Sequence, residues 1–170
     1  MPSWIKLLVA GIAGDRRAFM SHWNGTALQF ALHPSHPALW LMRMAAQAPP
    51  AVAVPARQVL VVTYGCDVQH GAKLAPGLVL PHPLGIVIGG GCRVEPNVVL
   101  YQHVTLGWNP GGFPVVRAGA TLFPGSVVAG DIEIGEGAQV SANALVLSSV
   151  PPRTTARTES SATGDWLATR

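Results

Sequence analysis

From Asp67 to Val150 an aliphatic residue returns every six positions: Val68, Leu74 and Leu80; Ile88, Val94, Leu100 and Leu106; then Val116, Leu122, Val128, Ile134, Val140 and Val146. Four positions after most of these stands a second residue, usually small or apolar, such as Ala72, Cys92, Ala120, Ser126, Ala138 and Ala144. A period of six is neither the 3.6 of a helix nor the 2 of a simple strand. It predicts hexapeptide repeats wound into a parallel β-helix, three short strands to a coil, with the aliphatic residue on the prism axis and the small one near a corner. The rhythm breaks twice. Leu80 to Ile88 is eight positions and Leu106 to Val116 is ten, two and four more than the repeat. Extra residues have no room inside a packed coil, so both insertions are expected to bulge outward as loops, where function tends to sit on a rigid scaffold. The first holds Pro81-His82-Pro83-Leu84, and the second runs from Trp108 to Phe113.

Ahead of the repeats the period is helical. Ile5, Leu8, Val9 and Ile12 share one helix face, Gly14-Asp15 breaks the run, and Asp15 suits the N-cap of a second helix through Ala18, Phe19 and Trp23. Pro37 suits the first turn of a further helix through Leu39, Trp40, Met42 and Met44. Residues 49–58, rich in Pro and Ala, read as a stiff connector, and residues 59–63 as a strand or a helix end feeding the coil. The organisation expected is a helical segment with its connector over 1–58, a β-helix domain over 59–156 and a flexible tail over 157–170.

Composition narrows the partners. Of the 170 residues 49% are hydrophobic and only 11% charged, which suggests that part of the surface is covered by other subunits. The net charge of +3 comes from scattered basic residues, with no cluster interleaved with aromatics, so nucleic acid is not expected. Cys66 and Cys92 are too few for an oxidised framework and are expected free and buried. The apolar run from Trp4 to Ala13 is too short to span a bilayer and has no convincing cleavage site, so a cytoplasmic location with no transmembrane segment is expected. His33 and His36 lie in a Pro-rich turn without a further ligand nearby, so they read as turn residues and no metal is expected. His70 likewise reads as a turn residue.

Three segments carry a resemblance: Gly85-Ile-Val-Ile-Gly, Val104-Thr-Leu-Gly and Ser148-Ser-Val-Pro-Pro-Arg-Thr-Thr-Ala. With them, residues 65–156 resemble the serine O-acetyltransferases and the relatives that acetylate exopolysaccharide sugars, colanic acid among them. The resemblance implies a left-handed β-helix, a homotrimer, and acetyl-CoA bound in clefts between neighbouring prisms. It implies His82 as general base with Asp67, 15 positions earlier, hydrogen-bonded to it. A hydroxyl is far too weak an acid to attack a thioester unaided, so a neutral imidazole must take its proton, and a carboxylate on the other ring nitrogen fixes the tautomer. It further implies backbone contacts to CoA at Gly107, Pro124, Gly130 and Ala142. The basic residue that the family places near the phosphates falls on Gln139, which leaves Arg153 and Arg157 as candidates.

The chain departs from the family where serine would be held. Pro81 stands where an acidic residue precedes the base, and Gly112-Phe113-Pro114 where an Arg-His-Pro handles the serine carboxylate. These losses lead us to expect a neutral acceptor, a sugar or exopolysaccharide hydroxyl, with a true serine O-acetyltransferase and a catalytically inactive β-helix scaffold as rivals. Trp108 and Phe113 either stack on a sugar ring or pack on the next subunit. Gln102 and His103 stand on the coil below His82. His103 points outward, since Leu100 and Val104 point in, and is either an acceptor contact or a filler of the subunit interface.

Overall fold

The computed structural model describes residues 2–157; the expected flexible tail lies almost wholly outside them. Four helices precede thirteen short strands among the described residues. The strands form a parallel solenoid with three faces. Face A stacks β1 (Asp67–Val68), β3 (Val87–Ile88), β6 (Thr105–Gly107), β9 (Val127–Ala129) and β12 (Leu145–Val146). Face B stacks β2 (Lys73–Leu74), β4 (Arg93–Val94), β7 (Val115–Val116) and β10 (Glu133–Ile134). Face C stacks β5 (Val99–Leu100), β8 (Thr121–Leu122), β11 (Gln139–Val140) and β13 (Thr155–Ala156), with Val79 bridging to Val99.

Register follows the six-residue rhythm. Ile88 pairs with both Val68 and Leu106, and Leu106 with Val128, so equivalent residues stack coil upon coil. All thirteen aliphatic positions of the repeat are buried, none more than 6% exposed. The small positions are buried too, apart from the half-buried Ile132. Parallel strands that share one dry axis need such continuous aliphatic columns.

The helical part differs from the sequence reading in three places. First, α1 runs unbroken from Ser3 to Trp23, through Gly14-Asp15. Asp15 caps no helix; it is fully buried, bonded to Arg43 and to the N–H groups of Gly77 and Leu78, so tertiary pairing overrides its capping tendency. Second, a short α2 (Ala27–Leu32) opens on a capping box in which Thr26 and Gln29 satisfy each other's backbone N–H. Third, residues 49–58 are no connector. Pro50 to Tyr64 form α4, with Pro50 at the first turn and Pro55 tolerated inside. Burial of Ala53, Ala56 and Leu60 holds that helix despite the lost backbone bond at Pro55. It ends at Gly65, whose φ of 63° suits glycine. The α3 helix (Ser35–Gln47) starts two residues ahead of Pro37.

The helices sit on the first coil. Arg43 donates to the carbonyls of Leu74 (2.7 Å) and Ala75 (2.9 Å), and Gly71 N–H donates to Ala46 O. No helix among the described residues is long and apolar enough to cross a membrane.

Candidate active site

The first interruption lies at the corner where face C turns into face A. Leu84 N–H donates back to His82 O at 2.9 Å, a tight turn that throws the two extra residues outward. Pro81 and Pro83 are buried while His82 between them is exposed, so the prolines anchor a projecting imidazole. Beneath it, Cys66 Sγ faces Pro83 O at 3.5 Å and accepts from Ile86 N–H at 3.3 Å. Burial pushes the Cys66 thiol up, which suits packing and not nucleophilic attack. Cys92 is also free and buried.

Asp67 opens β1 on face A, one corner from His82. Its two oxygens accept from Arg57 of α4, at 2.5 Å from Nε and 2.8 Å from the second guanidinium nitrogen. No hydrogen bond joins Asp67 to His82 among the described residues, so the bond expected from the resemblance is not formed in this state. The sequence hid Arg57 because 49–58 read as a connector; only a helix carries that guanidinium to β1. The pair raises the Arg57 pKa, chiefly through the hydrogen bonds to Asp67.

Two clefts meet at His82. The larger, about 520 Å³, lies between the helical segment and the coil, with Trp23, Asn24, Gln29, His33 and Pro81 in its wall. The smaller, about 200 Å³, runs past His33, Tyr64 and Leu84. Among the described residues no Asp, Glu, Lys or Arg lines either one. His33 is half-buried and its ring lies 5.1 Å from that of Phe19. Burial, and then the neighbouring charge of His82, hold its pKa below the ordinary histidine value. In the sequence His33 reads as a turn residue, because nothing in the chain's order shows that this turn folds against the coil insertion.

The remaining candidates are spread over two corners, one at each edge of face A. His103 shares the His82 corner; its backbone is left-handed (φ 60°), its side chain is exposed, and its N–H donates to Leu84 O. A Cβ on Gly85 would come within 2.2 Å of the His103 ring, so the imidazole lies over that glycine. Gln102, beside it, has its side-chain oxygen buried without a partner. The second interruption is at the opposite edge of face A. There Phe113 lies over Gly89 and Gly91, packed on the preceding coil of its own chain, and Trp108 is 63% exposed. One chain therefore does not bring Trp108 or Phe113 to His82.

The positions expected to meet CoA form two stacked pairs at opposite edges of face A. Pro124 and Ala142 precede β9 and β12; Gly107 ends β6 and Gly130 follows β9. Gly107, Pro124 and Ala142 reach the surface, and a Cβ on Gly107 would meet nothing within 3.8 Å. Gly130 is buried and its N–H is taken by Gly107 O at 3.3 Å, so it offers no hydrogen to a ligand. Three of the four positions thus leave room beside the coil, Pro124 and Ala142 on one edge of face A and Gly107 on the other. Elsewhere His33 and His36 are engaged with Ser35 and Trp40, and His70 with Ala48 O. Among the described residues no three His, Cys, Asp or Glu side chains gather as metal ligands.

Fold and site define a class: a hexapeptide-repeat β-solenoid capped by helices, with a projecting histidine at its first register break. No family model matches the sequence. Over 110 residues it is 38% identical to serine acetyltransferase of Escherichia coli K12, covering 62% of this chain and 40% of that protein. A solved serine acetyltransferase in complex with CoA superposes with a TM-score of 0.79 at 26% identity, over 89% of this chain and 67% of that one. Soybean serine acetyltransferase complexed with serine gives a TM-score of 0.79 and 26% identity, over 90% and 68%. Within its class the chain is similar to serine acetyltransferases. It spans about 40% of the length of the curated relatives it matches.

Proposed function

We propose that this chain is an acetyl-CoA-dependent O-acetyltransferase in which His82 is the general base. The observation that carries the reading is the exposed His82 imidazole at the mouth of an uncharged cleft, on a coil that is similar to serine acetyltransferases. When bound, acetyl-CoA supplies an activated acetyl thioester. His82 takes the proton of the acceptor hydroxyl as its oxygen bonds to the acetyl carbon; the carbon–sulfur bond breaks, and the proton passes to the leaving thiolate. Asp67 is the carboxylate that the resemblance assigns to orienting the imidazolium; Arg57 holds both of its oxygens, so the role requires a side-chain rotation that frees one. Gly107, Pro124 and Ala142 are the coil-edge positions for the CoA arm.

Serine is the acceptor that the comparisons favour. The relatives reported above are named serine acetyltransferases and lend no support to a sugar or exopolysaccharide unit. One observation keeps a neutral acceptor as the second reading: the wall around His82 carries no charged side chain to meet an ammonium or a carboxylate. In a homotrimer a neighbouring copy would bring its loop of Trp108 and Phe113 to this wall, and residues 108–113 carry no charge either.

Thiol release from acetyl-CoA tests both readings, with serine, homoserine and a sugar panel as acceptors. Serine-dependent turnover that falls about 100-fold or more in His82→Ala is the expected result. Turnover with sugars alone moves the assignment to the neutral acceptor, and equal rates for the variant remove His82 as base.

A further inference from the structure

His33 belongs to no coil, yet it faces the same two clefts as His82. It sits between α2 and α3, and its ring is fixed on one side. Ser35 N–H donates to Nδ1 at 3.2 Å, and Ser35 Oγ lies 2.9 Å from the same nitrogen while donating to Leu80 O, next to the His82 loop. A ring nitrogen that accepts a backbone hydrogen carries none of its own, so the neutral ring holds its proton on Nε2. That N–H is the polar atom left over for the cleft. The tilted Phe19 ring closes the other side. Asn24 and Gln29 place two side-chain amides in the same wall.

We infer that His33 is a specificity-determining residue, a fixed neutral imidazole whose Nε2–H donates to an oxygen of the acceptor held against His82. This rests on the O-acetyltransfer reading above. The held-down pKa agrees with the geometry, because a neutral His33 leaves the positive charge that develops during attack to His82 alone. A cleft without charges selects by hydrogen bonds, and a fixed donor beside the base selects an acceptor carrying a second oxygen close to the reacting hydroxyl. A carboxylate and a vicinal hydroxyl both present such an oxygen, and the acceptor panel separates them.

The test compares His33→Leu and His33→Gln, Gln being able to place an N–H near the Nε2 position. For the best acceptor, His33→Leu is expected to raise KM about 3- to 10-fold, the loss of one neutral hydrogen bond, with KM for acetyl-CoA and the unfolding midpoint unchanged. His33→Gln is expected to recover most of that loss. Unchanged acceptor KM in His33→Leu overturns the inference, as does an equal rise in both KM values or a failure of Gln to rescue. Acceptor binding followed by saturation-transfer NMR on His82→Ala, with and without His33→Leu, separates the two proposals. A weaker signal in the double variant supports His33 even where His82 proves not to be the base. Absence of acceptor binding in both the unaltered protein and His82→Ala overturns it.

Discussion

At the scale of single residues, burial decides what each titratable side chain can do. Cys92 fills a small position of the repeat with no exposed surface, and burial pushes its thiol up to about 11. In the unfolded chain the same thiol ionises near its ordinary value of 9.0. Stability from the buried neutral thiol is therefore complete below about pH 9 and is lost as pH rises through about 11. Denaturant unfolding across that range should show a loss on the order of 2 kcal/mol, absent in Cys92→Val. His33 shows the opposite direction: burial and His82 lower its pKa, so its contribution is present above the ordinary histidine value and falls away as pH drops below it. The two histidines are neighbours by folding alone. Nothing in a chain 49 positions apart announces it.

At the scale of elements, the coil was legible because every coil repeats the same demand. The axis takes an aliphatic residue and the corner takes a left-handed one, and the sequence writes both with a period of six. Even the corner shared by Gly85, His103, Gly125 and Asn143 obeys a rule: a polar side chain at positive φ lies over the glycine one coil below. A Cβ on Gly85 would meet His103 Nδ1 at 2.2 Å, and one on Gly125 would meet Asn143 Oδ1 at the same distance. Gly85→Ala should therefore cost about 1–2 kcal/mol of backbone strain plus a smaller cost for turning the exposed His103 ring aside, and adding His103→Ala should relieve only that second part. Thermal unfolding of the four variants in the cycle reads the coupling directly. The helices were less legible. Gly14-Asp15 and the proline-rich 49–58 carry local signals for a break, and both lie inside helices because their partners, Arg43 and the α3–α4 packing, are far away in sequence. The site divides the same way. His82 was marked by a broken register, whereas Arg57 and His33 reach it only through the helices that local signals concealed.

At the scale of the molecule, one buried ion pair fastens the helical segment to the solenoid. Arg43 and Asp15 are 1% and 0% exposed, 2.6 Å apart, and between them satisfy two carbonyls and two N–H groups of the first coil. Burial pushes the Asp15 carboxyl up against the pull of Arg43, so the pair stands only while both members are present. Arg43→Met strands the carboxylate and should cost about 3–5 kcal/mol in unfolding by denaturant, with a smaller loss when Asp15→Leu is added. The same variant should scatter light sooner on mild heating. The reason is that a stack of identical parallel strands has no natural last member: its bare rung is a mould for the next chain. The Asp15 carboxylate, the Arg43 guanidinium and the Ala46 carbonyl meet the backbone of that rung and present no rung of their own. The helical segment thus acts as a stopper as well as a cleft wall, keeping a fold that is one thread of an endless screw from recruiting its neighbours end to end.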